Sequence, residues 1–140
     1  MSLVVDASVA VKWFVEEPLW EAAEALTRQR ESLLAPEFLI IEVTNVAWKK
    51  VVRGEIEPGQ AHEIAAAIGQ SIPRFHSSAA LNERALHIAL ALEHPVYDCL
   101  YLACAELAEA VLVTADARLC DAVAVGPYAG LVRHLSDIGA

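Results

Sequence analysis

"LVVDASVAVKWF", residues 3–14, decides how this chain is read. Three apolar residues run without polar alternation into Asp6, and a second apolar stretch follows it. An unalternated apolar run of strand length suits a strand buried on both faces, the condition of a parallel sheet. A second such run, VLVT at 111–114, leads to Asp116 two residues later. Further strands are expected over 32–35 (SLLA, stopped at Pro36), 71–76 (SIPRFH) and 131–135 (LVRHL). Pro73 removes a backbone donor from the 71–76 strand and marks it as an edge. Helical patterns fill the intervals at 7–15, 18–31, 37–53, 58–69, 79–93, 96–109 and 116–124. Pro18 and Pro58 suit first helical turns, and Gly54 and Gly69 suit helix ends. Strands alternating with helices predict an α/β fold: a three-layer α/β/α sandwich with a central, mainly parallel sheet. Its connections should be right-handed.

The chain has 140 residues, 56% of them apolar. That length fits one domain over residues 1–140, and that composition excludes disorder. No apolar run reaches the ~18 residues of a membrane span, so no membrane association is expected. The N-terminus lacks the basic region and small-residue cleavage site of a secretory signal, so a cytoplasmic protein is expected. Cys99, Cys104 and Cys120 have neither zinc-site nor disulfide-framework spacing and are expected to be buried small hydrophobes. The formal net charge of −9 is unfavourable for a reader of duplex DNA. Acids gathered around divalent cations would account for part of it; solubility is the other explanation.

In an open parallel sheet, ligands bind beyond the carboxyl ends of the strands. Asp6 follows the first strand, and Asp116 follows VLVT. Asp98 begins the helix that feeds VLVT, so it lies at that strand's carboxyl end. Glu42 lies in the second turn of the helix after SLLA. Four acids distant in sequence therefore map to one rim. Singly, Asp6 and Asp116 also read as helix N-caps, and Asp98 as an acid favoured by the helix dipole. Glu42, between Phe38 and Val46 on a largely apolar surface, needs a partner to offset desolvation. Two bare carboxylates ~4 Å apart repel by about 4 kcal/mol at an effective dielectric near 20, so a cluster calls for protons or a cation. Oxygen-only ligands suit Mg²⁺ or Mn²⁺, and the scattered histidines form no HxxxH pair for zinc. Such a site suits phosphodiester hydrolysis. Ser8 and Thr114, each two residues from a proposed ligand, either orient a carboxylate or metal-bound water or cap helices. Lys12 either reaches a phosphate, balances an acid or snorkels. Asn45, Lys49 and Arg53 step along the Glu42 helix, as guides for a nucleic-acid backbone or as a solvated face.

VVDASVAVKWF, PEFLIIEVTNV, YDCLYLACAE and LVTADARL, in that order, resemble the PIN-domain family, and specifically the VapC toxins of toxin–antitoxin pairs. The resemblance implies a parallel-sheet α/β/α fold and a Mg²⁺- or Mn²⁺-dependent endoribonuclease acting on RNA. It also implies a homodimer and a VapB-type antitoxin. The family's acidic positions correspond to Asp6, Glu42, Asp98 and Asp116, and its hydroxyl positions to Ser8 and Thr114. Many relatives carry a further acid or amide soon after the last acid; here Asp121 is the next candidate. The alternative is a PIN-like module that binds RNA or protein without cutting. A receiver-like phosphoacceptor ranks lower, because SIPRFH ends without the required Asp.

Overall fold

The computed structural model describes residues 1–138. Five strands form one sheet: β1 (Leu3–Val5), β2 (Leu33–Pro36), β3 (Arg74–His76), β4 (Val111–Thr114) and β5 (Val132–His134). Their spatial order is β3-β2-β1-β4-β5, and every pairing is parallel. The expected strands are all present. β3 lies at an edge as Pro73 implied. β2 includes Pro36, beyond the expected stop. Proline lacks only the donor, and pairing is carried past it by the Glu37 N–H, which donates to the His76 carbonyl at 2.8 Å.

The helices are α1 (Ala7–Ala10), α2 (Trp20–Leu26), α3 (Phe38–Val52), α4 (Pro58–Ala67), α5 (Ser78–Leu92), α6 (Val96–Leu107) and α7 (Ala117–Val123). The two N-terminal helices are shorter than their apolar patterns suggested. α1 tightens into a 3₁₀ turn over Val11–Trp13, and α2 into 3₁₀ structure over Thr27–Ser32 with a non-helical Gln29. α6 packs across β1, β2 and β4, and α5 packs on α6. Cys99 through Ala105 are consequently buried without a break, as befits a helix covered on both sides. α1 packs on β4, α3 on β2, and the two helices on each other. The sheet between these layers gives the three-layer α/β/α sandwich. Among the described residues no single helix is long and apolar enough to cross a membrane.

Two features of the fold position the site. The strand order reverses between β1 and β4, which makes their carboxyl ends the switch point where a crevice opens. Glu93 adopts φ 52°, a left-handed conformation that ends α5 and turns the chain into α6. That turn returns Asp98, third residue of α6, to the same edge.

Candidate active site

Asp6 sits where β1 becomes α1. Its backbone is extended, and its Oδ1 accepts the Val9 N–H at 3.3 Å, so it is an N-cap. It is also nearly fully buried at 5% exposure. Ser8 Oγ donates to Asp6 Oδ1 at 2.6 Å, and Thr114 Oγ1 donates to Asp6 Oδ2. Both hydroxyls accept in turn from the β4–α7 junction: Ser8 from the Ala115 N–H at 2.8 Å, Thr114 from the Asp116 N–H at 3.0 Å. A hydroxyl has one proton, and both protons are committed to Asp6. The 3.3 Å approach of the two hydroxyls is therefore a contact between acceptors. Three of the roughly four acceptor positions of the Asp6 carboxylate are taken, leaving about one for a ligand. Burial still outweighs these bonds and pushes Asp6 up to about 6.

Glu42 projects from the second turn of α3, and Tyr101 of α6 donates its phenolic proton to Glu42 Oε1 at 2.6 Å. Burial, followed by the charges of Asp6 and Asp98, raises Glu42 to about 7. The same burial holds the Tyr101 hydroxyl well above its ordinary range. Asp98 is bridged by His94 at 2.6 Å, one turn earlier in the chain. Asp116 caps α7 through the Arg118 N–H at 2.9 Å.

The four acids line one cleft of about 350 Å³, together with Ala7, Ser8, Asn45, Val46, Lys49 and Arg118. The face of α3 that enters it carries Glu42, Asn45, Val46 and Lys49, at helical spacing. A larger cavity of about 410 Å³ between α7 and β5 contains none of the four acids.

Thr114 lies fully buried beneath the cleft floor. Three other residues singled out from sequence lie elsewhere, the first being Arg53, which ends α3 outside the cleft. Lys12 pairs with Glu17 at 3.0 Å, and Lys50 holds the other oxygen of Glu17 at 2.8 Å, so Lys12 is a local counter-charge. Asp121 is exposed and does not line the cleft. Five residues beyond Asp116, it is turned about 140° from it around the helix. Cys99 and Cys104 are buried as expected, whereas Cys120 is half-buried and lines the larger cavity.

Tyr101, His94 and Arg118 were not singled out from sequence. His94 and Asp98 are four residues apart, an i,i+4 pair visible once the search is widened from His–His to His–Asp. Tyr101 follows Asp98 by three residues and therefore faces the same side of α6. Its pairing with Glu42 spans 59 residues and has no local signal.

The donor set is all oxygen, which suits a hard divalent cation. Among the described residues, no three His, Cys, Asp or Glu side chains converge closely enough to enclose an ion directly. Each acid is held by a protein partner instead. The set fits a cation that keeps several of its own waters, as Mg²⁺ does.

The chain belongs to the PIN domain family, whose model matches residues 3–125. It is 34% identical over 125 residues to Ribonuclease VapC3 of Pyrobaculum aerophilum, across 86% of this chain and 94% of that protein. Its fold is similar to the crystal structure of PAE2754 from the same organism, with a TM-score of 0.69, 21% identity and coverage of 97% of this chain and 90% of that one.

Proposed function

We propose that the chain is a divalent-metal-dependent endoribonuclease that hydrolyses RNA phosphodiesters. The observation that carries this reading is the cleft itself. Four carboxylates from four separate elements line it at the switch point of the sheet, with Asp6 and Glu42 held up toward neutral pH. Such a cluster is poorly stabilised by the protein alone and gains from a cation. The name of the 34% identical relative, Ribonuclease VapC3, supports RNA as substrate.

Asp6, Glu42, Asp98 and Asp116 would hold Mg²⁺ or Mn²⁺. When bound, the ion supplies charge neutralisation at the phosphoryl oxygens and a more acidic water. The chain's own residues do the rest. Ser8 and Thr114 fix the Asp6 rotamer, Tyr101 fixes Glu42, and His94 fixes Asp98, so the carboxylates are oriented before substrate arrives. Asn45 offers an amide to the sugar–phosphate backbone from the α3 wall. Asp121 lies outside this arrangement.

The likeness to VapC3 extends the proposal to a cytoplasmic toxin, a homodimer, neutralised by a VapB-type antitoxin. The test is cleavage of end-labelled RNA by purified protein with Mg²⁺ or Mn²⁺, repeated in EDTA and with Asp98→Asn. Cleavage abolished by both treatments is expected. RNA binding without cleavage under any divalent ion would instead establish the non-catalytic module.

A further inference from the structure

The acidic cleft also contains two cations, and they come from different elements. Lys49 enters from α3, two helical turns beyond Glu42, and Arg118 from the first turn of α7, beside Asp116. The other nearby basic groups are accounted for, His94 by its bond to Asp98. Lys12 and Lys50 are both committed to Glu17, and their side chains are only 9% and 11% exposed. Arg53 ends α3 outside the cleft. Lys49 and Arg118, by contrast, are exposed. The Arg118 side chain is 93% exposed, and its Nε lies 3.9 Å from Asp116, too far for a hydrogen bond.

Four carboxylates against two cations leave the cleft with a formal excess of negative charge, and the whole chain carries −9. A polyanion approaching this edge therefore needs local attraction on both sides of the acids. We propose that Lys49 and Arg118 are positioning residues that bind the RNA phosphates flanking the scissile one, so that the strand crosses the cleft from the α3 wall to the start of α7. This rests on the ribonuclease reading above. Backbone contacts of this kind set register and orientation and carry no base preference. The fork of Arg118 suits bidentate contact with phosphate oxygens, whereas Lys49 acts as a point charge on a flexible stem.

The test measures affinity for a labelled single-stranded RNA in an Asp98→Asn background, with Mg²⁺ fixed and NaCl varied. Each phosphate contact to a single strand adds about 0.7 to the slope of log affinity against log salt. Lys49→Gln and Arg118→Gln should each lower that slope by about 0.7, and the pair together by about 1.4. Arg53→Gln should leave it unchanged. With Asp98 restored, the two substitutions should raise KM several-fold and change kcat little, because uniform binding is what they remove. Arg118→Lys should recover part of the loss. The proposal is overturned if neither substitution changes the slope, if Arg53→Gln changes it as much, or if no RNA binds. The ribonuclease reading fails separately, if Asp98→Asn cleaves as fast as the parent.

Discussion

Thr114 at the end of β4 donates its hydroxyl proton to Asp6 at the end of β1, joining residues 108 apart in the chain. The same oxygen accepts the Asp116 N–H, so one side chain ties two of the four cleft acids together. Thr114→Val keeps the shape and removes both bonds, leaving the Asp116 amide and one Asp6 oxygen unsatisfied. A stability loss of about 1–3 kcal/mol is expected, measured by urea unfolding. RNA cleavage should fall roughly 10- to 100-fold. Thr114→Ser should keep most of both, and a valine variant of unchanged stability would contradict this role.

Asp98→Asn should separate stability from activity. It removes a charge that helps to raise both Glu42 and Asp6. Cleavage should drop at least ~100-fold, while the melting temperature of the metal-free protein stays level or rises, because repulsion is relieved. A large fall in melting temperature would mean that Asp98 serves packing instead.

Stability of the metal-free protein should decrease as pH rises from about 5 to 8. Asp6 titrates at about 6 and Glu42 at about 7 in the folded chain, against ordinary values near 4 when unfolded. Between those limits the folded state binds more protons, so raising pH favours unfolding. Full protonation stability is present below the unfolded values and is lost through the folded ones. For Asp6 alone the loss is of order 3 kcal/mol. Mg²⁺ or Mn²⁺ should restore part of it at pH 8 by binding the folded state. Thermal melts across pH, with and without the ion, check both statements; a melting temperature that rises over this window in EDTA would refute the assignment.

Tyr101→Phe should lower metal affinity with little loss of fold. The ring is completely buried and stays in place, while Glu42 loses its bond and its carboxylate becomes costlier to ionise. Metal affinity should weaken roughly tenfold or more, read by calorimetric titration. The stability change should be near 1 kcal/mol. Equal affinities for the two proteins would remove Tyr101 from the site.

How much of this was legible in the sequence depends on how locally each feature is encoded. LVV and VLVT announced buried parallel strands because burial on both faces leaves a continuous apolar run. Asp6 and Asp116 could be placed on the rim because each directly follows such a strand. Their cap roles and their places in the cleft proved compatible, since a strand-to-helix junction aims the carboxylate at the edge. Lys12 was ambiguous because it shares its partner, Glu17, with Lys50, which lies 33 residues beyond Glu17. Tyr101 was hidden for a similar reason: a buried Tyr in an apolar helix looks like core until the acid opposite it is known. The 3₁₀ turns after α1 and α2 were missed because apolar spacing does not distinguish a tight turn from the end of an α-helix.

The placement of β1 between β2 and β4 has a consequence for synthesis. β1 is made before β4, and Thr114, which secures its acid, comes more than a hundred residues later. At roughly 5–20 residues per second, several seconds pass in which Asp6 has no partner across the sheet. The residues lining the cleft run from Asp6 to Arg118, so no stretch that stops short of Arg118 contains the whole cleft, and whatever the cleft does waits for β4 and the start of α7.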